Sequence, residues 1–341
     1  MPTSAPTAAT QPKALRPIAI TMGDAAGIGP EIIAKTFANA AFIAQNPAFV
    51  VGDLQAMQRA CAQWAKPVRV RAIASPADFK PQAGCLDVVA VSALPADLKM
   101  GRIDARAGQA AFDAIRTAIE WANQGQISGI CTAPIHKEAL HVAGVPFPGH
   151  TEMLAHFSGV DDYAMVLANP LLRTILVTVH CSVVDAVARL SIALELRIIR
   201  LAHRTLQSFG IAAPRIAVAG LNPHAGEGGL FGREDIDTIA PAIAQARAEG
   251  IDATGPHPGD TVFMHARRGR YDIVVAQYHD QGLIPVKLLG VEDGVNITAG
   301  LPYVRTSPDH GTAFDIAGRG MADPASMKTA LAMAHTLAQG K

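Results

Sequence analysis

The chain has 341 residues, half of them hydrophobic and only 17% charged, which is apolar material enough for more than one compact core. Lys plus Arg and Asp plus Glu both number 29, and the formal net charge of 0 excludes a protein drawn as a whole onto nucleic acid or an acidic membrane. Four cysteines with no CxxC pair exclude a disulfide framework and point to buried free thiols in a reducing compartment, here expected to be the cytoplasm.

Residues 1–15 are small, polar and Pro-rich, and are expected to be a disordered tail rather than a signal peptide. No membrane span is expected, because the apolar stretches break at charges, Gly or Pro well short of the roughly 20 residues a spanning helix needs. The run 17–22 predicts a strand that meets a glycine-rich turn over 23–29, and Pro30-Glu31 opens a helix through residue 42. A strand over 48–51, a helix over 53–64 and a strand over 68–73 follow. A long helix over 108–123 then feeds a strand at 127–132. After a Pro/Gly cluster over 133–150, strands are predicted at 163–168, 174–179, 215–219 and 273–277. Helices are predicted over 183–209, with a break, and over 235–249 and 326–338. Short β-branched runs alternating with helices give a two-lobed α/β/α sandwich with mostly parallel sheets. The expected lobes are 16–139 plus 318–341, a discontinuous first lobe closed by the last helix, and 140–317.

Three histidines share one local context: His180, His224 and His279 each follow a predicted strand end, where ligands gather in parallel α/β folds. Imidazole suits Zn, Fe, Co or Ni, so together they could form a metal site, although their spacing matches no short metal motif. Asp280 beside His279 reads as a carboxylate orienting an imidazole or as a helix cap, and Asp260 as a turn residue or a carboxylate near the chemistry. Gly149-His150-Thr151-Glu152 places a hydroxyl and an imidazole at a helix start, where free N–H groups favour phosphate. Lys287, Asn296 and Arg305 lie on a polar, Gly-punctuated path suited to carboxylate or phosphate. The turn GDAAGIG at 23–29 is neither GxGxxG nor a P-loop, so cofactor-binding residues stay unassigned.

These residues sit in five blocks: MGDAAGIGPEI (22–32), PFPGHTE (146–152), GLNPHAGEGG (220–229), YHDQGLIPVK (278–287) and GVNITAGLPYVRTSPDHGTAFDIAGRG (294–320). Together they resemble the 4-hydroxythreonine-4-phosphate dehydrogenase family of pyridoxal 5'-phosphate biosynthesis, over nearly the whole chain from Pro17. The resemblance implies His180, His224 and His279 as ligands of one divalent ion (Zn, Mg or Co), and His150, Thr151, Lys287, Asn296 and Arg305 as substrate contacts. Lys287, Asp280 and Asp260 are the implied catalytic candidates. It implies NAD or NADP as cofactor, a fold like that of isocitrate and isopropylmalate dehydrogenases with the site in the interlobe cleft, and a homodimer that completes the site across its interface. The implied reaction oxidises 4-phosphooxy-L-threonine to 2-amino-3-oxo-4-(phosphonooxy)butanoate, which decarboxylates to 3-amino-2-oxopropyl phosphate.

Two departures from the family pattern, Ala25 in place of Pro and Cys181-Ser182 after the first histidine, keep D-threonate 4-phosphate and D-erythronate 4-phosphate open as substrates. A metal-dependent phosphatase or aldolase, or a non-catalytic binder of small phosphorylated acids, are the readings from other classes.

Overall fold

The computed structural model describes residues 16–290 and 293–339, so the tail expected over residues 1–15 lies outside the described residues. From the N-terminus, β1 (Ile18–Thr21) leads to α1 (Gly29–Phe37) and a short α2 (Ala40–Gln45), and β2 (Ala48–Asp53) to α3 (Leu54–Trp64). β3 (Arg69–Ile73) and β4 (Cys85–Ser92) precede α4 (Ala105–Asn123), β5 (Gly129–Thr132), α5 (Lys137–Val142) and α6 (His150–Ser158). β6 (Ala164–Ala168) and β7 (Arg173–Leu176) are followed by α7 (Val183–Arg189), α8 (Ile192–Ser208) and β8 (Ile216–Ala219). Then come α9 (Ala240–Ala248), β9 (Ala253–His257), α10 (Val262–Arg267), β10 (Ile273–Ala276) and α11 (His279–Leu288). β11 (Val295–Ala299), β12 (Val304–Pro308) and α12 (Ala325–Gln339) end the described chain.

Side chains explain where the expected helices divide. The helix expected from residue 30 to 42 splits because Asn39 accepts a bond from the Phe42 amide and starts α2 afresh. Likewise the helix expected over 183–209 breaks where Ser191 accepts from the Leu194 amide and caps α8.

All twelve strands form one sheet, in the order β3-β4-β2-β1-β5-β12-β11-β6-β7-β10-β8-β9. The strands from β3 to β12 in that order are parallel to one another, and so are those from β7 to β9. Between the blocks β11 is antiparallel to both β12 and β6, and β6 is antiparallel to β7. Three reversals separate the blocks, so they run in opposite directions. Strand C-termini of one block therefore lie at the opposite edge of the sheet from those of the other.

The path from Lys287 to Arg305, expected as polar loop, holds the β11–β12 hairpin at the centre of the sheet. In β11 buried Val295, Ile297 and Ala299 alternate with Asn296 and Thr298, whose polar face meets Arg305 of β12. β12 pairs in parallel with β5, and α12 packs on β12 and β5. Lys35 ties this return to α1: its ammonium bonds Glu31 (2.8 Å) and the carbonyls of Gly320 (2.8 Å) and Ala322 (2.7 Å). Apolar clusters fill both faces of the sheet, with Ile20, Ile32 and Met327 on one side and Ile119, Ile130 and Leu154 on the other. Among the described residues no helix is long and apolar enough to cross a membrane.

Candidate functional site

The residues singled out from the sequence fall into two clusters. The first lies where β5 and β12 end and β11 begins. Arg305 on β12 is 6% exposed, yet no carboxylate pairs with it. Its Nη2 donates to Thr132 Oγ1 (2.7 Å), its Nη1 donates to Thr298 Oγ1 (3.2 Å), and its buried Nε has no partner. Burial pulls the guanidinium down to about 10, the sign of a cation held without enough compensation. Beside it, a small pocket of about 140 Å³ is lined by Thr132, Lys137, His150, Ser307 and His310 among others.

His150 opens α6, and its enclosed Nε2 lacks a partner. Burial first, and the Arg305 charge second, hold its imidazole well below the ordinary range, so at neutral pH it is an uncharged polar group. Thr151 follows in the first turn of the same helix. On the adjoining side, Asn296 Nδ2 donates to Asp309 Oδ1 (2.7 Å), and Lys287 Nζ lies 2.8 Å from Asp309 Oδ2. His150 and Arg305 thus neighbour each other, while Lys287 and Asn296 meet at Asp309, whose chain neighbours Pro308 and His310 line the pocket of His150.

The second cluster sits at the C-terminal ends of β7, β8 and β10. His180 and His279 stand with ring centroids 6.0 Å apart. His279 Nδ1 lies 2.8 Å from Asp280 Oδ1, which fixes that ring and leaves Nε2 free, the arrangement usual for an imidazole ligand. Cys181, the one half-buried thiol among four free cysteines, shares their pocket. His224 does not join this pair. It lines a neighbouring pocket of about 480 Å³ with Asp260, Tyr278, Asp280 and Gln281. Among the described residues no group of three His, Cys, Asp or Glu stands close enough to hold a metal ion.

His224 is carried on a left-handed turn. Residues 224–228 all have positive φ, including His224 (52°), Ala225 (52°) and Glu227 (41°). Each such non-glycine residue costs about 1–2 kcal/mol, so the surrounding structure must hold the turn in place. Buried Asp235 does so, accepting from the amides of Leu221 (2.8 Å) and Asn222 (3.1 Å) and from Asn222 Nδ2 (3.0 Å). Gln277 and Gln281 join the strand ends: Gln277 Nε2 donates to the Ala219 carbonyl and Gln281 Nε2 to the Gly220 carbonyl, both at 2.8 Å.

Under this network lies Glu195, fully buried in the first turn of α8, with no hydrogen bond to either carboxyl oxygen. Burial is the main cause that pushes it up to about 8; the Gln277 amide pulls it back down and the Asp235 charge adds to the rise. A folded-state value above the ordinary 4.5 means that the unfolded chain gives up this proton first. Stability is therefore complete below pH 4.5 and is lost as pH rises to about 8. We expect Glu195→Gln to be more stable than the parent at pH 8, by on the order of 4 kcal/mol at 1.36 kcal/mol per pH unit, and no more stable at pH 4.5. Thermal unfolding at both pH values checks this; a variant destabilised at pH 8 would show that the carboxylate itself is needed.

The two clusters are apart within one chain. Lys287 and His279 lie on the same helix, α11, eight residues from each other, which is about 12 Å along its axis. α11 also exposes apolar side chains: Ile284, between them in the chain, is 59% exposed, and Leu288, just beyond Lys287, is 83% exposed. Val183 (62%), Val184 (78%) and Leu230 (74%) are further exposed apolar side chains close in the chain to His180 and His224.

Asp309, Thr132, Lys137, His310, Asp235 and Gln277 were not singled out from the sequence. The DHG that follows Ser307-Pro308 is the one local signal for Asp309 and His310; the rest depend on contacts between distant segments. The GDAAGIG turn offers no open cradle. A Cβ at Gly23 would lie 2.3 Å from the Pro134 carbonyl oxygen, and one at Gly27 2.9 Å from Thr312 Cβ, so these glycines serve close packing of the chain on itself.

Comparison with known proteins agrees with this architecture. Residues 44–334 match the family described as pyridoxal phosphate biosynthetic protein PdxA. The 4-hydroxythreonine-4-phosphate dehydrogenase of Beijerinckia indica is 59% identical, across 94% of this chain and 95% of that protein. The D-threonate 4-phosphate dehydrogenase of Cupriavidus necator is 50% identical, across 94% and 97%. Among solved structures, a 4-hydroxythreonine-4-phosphate dehydrogenase from Klebsiella pneumoniae superposes with a TM-score of 0.91 at 48% identity, over 96% of this chain and all of that one.

Proposed function

The chain belongs to the family of pyridoxal phosphate biosynthetic proteins PdxA, and from that premise we propose that it is a dehydrogenase that oxidises 4-phosphooxy-L-threonine with NAD or NADP. The observation that carries the reading is Arg305, a buried cation with no carboxylate partner among the described residues, whose hydrogen-bond partner Thr132 lines the small pocket of His150. Such a group calls for a phosphorylated or carboxylated ligand to neutralise it. Arg305, His150 and Thr151 take the phosphate, Lys287 the carboxylate at the other end, and Asn296 an oxygen or amine between them.

A divalent ion (Zn, Mg or Co) fits the donor chemistry of His180 and His279, whose rings converge while Asp280 fixes one of them. When bound it would supply Lewis-acid polarisation of the C3 hydroxyl. His224 is the proposed third ligand, Asp280 and Asp260 are the carboxylates able to accept a proton beside it, and Lys287 is the cation available to the carboxylate that is lost as CO2. The eight-residue separation of Lys287 and His279 on α11 supports a site completed by a second copy of the chain. We therefore propose a homodimer with one edge of each subunit completing the other's site, its interface including Ile284, Leu288 and the exposed valines of α7. The lobes are proposed at 16–139 plus 318–341 and 140–317, and the compartment is proposed to be the cytoplasm.

The second reading, oxidation of D-threonate 4-phosphate, draws on the Cupriavidus necator relative. One experiment separates the two: kcat/KM for both compounds with NAD and a saturating divalent ion, followed as NADH at 340 nm. We expect the threonine derivative to be preferred by one to two decades, the effect of roughly 1–3 kcal/mol for an unsatisfied polar group, and EDTA to abolish turnover of both. Release of inorganic phosphate without NADH would replace the dehydrogenase with a phosphatase.

A further inference from the structure

His224 is exposed, so the aim of its ring rests mainly on the backbone that carries it. That backbone is pinned before the left-handed turn begins. The Ala219 carbonyl accepts from Gln277 Nε2 (2.8 Å), and the Gly220 amide donates to the His257 carbonyl (2.7 Å). The next peptide is held at both ends. Its carbonyl, on Gly220, accepts from Gln281 Nε2 (2.8 Å), and its N–H, on Leu221, donates to Asp235 Oδ1 (2.8 Å). A peptide unit is planar, so two bonds on its opposite edges fix the direction in which the chain enters the turn of His224.

Among these groups Gln281 alone belongs to α11, the helix that opens with His279. Its Oε1 accepts from the Gln277 amide (2.7 Å) just ahead of that helix, while its Nε2 reaches Gly220, 61 residues away in the chain. Capping of α11 accounts for the first bond but not for the second. Each end of the side-chain amide is used in the one sense its chemistry permits, the oxygen facing an N–H and the nitrogen a carbonyl. The segment leading to Asp260 lies against the same place. A Cβ on Gly259 would come within 3.3 Å of Gln281 Nε2, and its absence lets that segment close over the Gln281–Gly220 bond. His224, Asp260, Asp280 and Gln281 accordingly line one pocket.

We infer that Gln281 is a positioning residue for the proposed metal site: its side-chain amide ties the turn of His224 to the helix of His279 and so sets where the His224 imidazole is presented. The inference rests on the reading of His224 as a metal ligand given above. In this role Gln281 acts through His224 and not on the ion. Its removal therefore costs metal affinity only while His224 is there to be misplaced.

The test is a double-mutant cycle on the affinity for Co2+ alone, measured by isothermal titration calorimetry on full-length protein stripped with a chelator and dialysed free of it. Gln281→Met keeps the length of the side chain and removes both bonds. We expect it to weaken Co2+ binding by about 10- to 100-fold, the cost usual for a group that orients a metal ligand. In a His224→Ala background the same substitution is expected to cost less than about threefold, because the ligand it would misplace is gone. Thermal unfolding without metal checks that each variant is folded. If Gln281→Met is not, Gln281→Glu takes its place, since it keeps the acceptor for the Gln277 amide and loses the donor to Gly220. The charge it adds acts in both backgrounds alike and cancels from the cycle. An affinity unchanged by the Gln281 substitution, or lowered equally in both backgrounds, would overturn the inference and leave the metal reading intact. An affinity that His224→Ala itself leaves unchanged would overturn His224 as a ligand, and this assignment with it.

Discussion

Replacing Arg305 with methionine is expected to lower kcat/KM by about three decades and to leave the protein at least as stable as before. The two effects have one cause. In the folded chain the guanidinium is 6% exposed, bonded to two threonine hydroxyls and to no carboxylate, with its Nε unpartnered. Burial lowers it from 12.5 to about 10, which corresponds to on the order of 3 kcal/mol for holding the charge in the interior, at 1.36 kcal/mol per unit. Methionine of similar length fills the space without that penalty, at the expense of the bonds to Thr132 and Thr298. Removing one partner of a buried charged pair with a ligand costs about 2–5 kcal/mol, or roughly one and a half to three and a half decades at 1.36 kcal/mol each. Thermal unfolding and steady-state kinetics on the same preparation check both halves. If Arg305→Met unfolded several degrees lower and kept kcat/KM within tenfold of the parent, the guanidinium would be a structural group and not the anion anchor.

That double character could not be read from the sequence, and the reason is instructive. Arg305 was singled out there as one cation on a polar path, with nothing to mark it as buried, because β11 and β12 carry polar residues on the face that forms the site. In β11 Val295, Ile297 and Ala299 do alternate with Asn296 and Thr298, but a polar face in such a pattern reads as one turned to water and gives no sign of a buried site. β2, β5, β8 and β10, by contrast, are buried on both faces, and their β-branched runs gave them away. The same logic explains the histidines. Each closes or follows a legible strand, so all three could be proposed, whereas the reversed direction of the two parallel blocks emerges only from how β11, β12, β6 and β7 pair. Asp309 came to light only when Lys287 and Asn296, 22 and 13 residues away in the chain, were seen in contact with it. Glu195 was not singled out from the sequence, since only its burial near Gln277 and Asp235 sets it apart.

The separation of the clusters leads to the second large effect, which is an expected gain. His180→Ala and Arg305→Met are each expected to be inactive, the first through loss of a proposed metal ligand and the second through loss of the anion anchor. His180 is exposed and its removal leaves the sheet untouched, so both chains should fold. If every site takes its histidines from one subunit and its anion residues from the other, a heterodimer of the two variants has one site with both defects and one site with none. Equal amounts exchanging at random give half heterodimers, each with one working site of two, and so about a quarter of the wild-type activity per chain. A site contained in one chain predicts no recovery at any mixing ratio, since every site would keep one defect. The measurement is NADH production after subunits are exchanged by dilution and reconcentration, with size-exclusion chromatography to establish that dimers have re-formed. Substituting Leu288, 83% exposed at the C-terminal end of α11 beside Lys287, with aspartate should suppress the recovery by weakening the interface. Recovery to about a quarter, together with its loss in the Leu288→Asp background, would place the histidines and the anion residues of each working site on opposite subunits. No recovery in mixed dimers of demonstrated composition would put both in one chain and overturn the shared site.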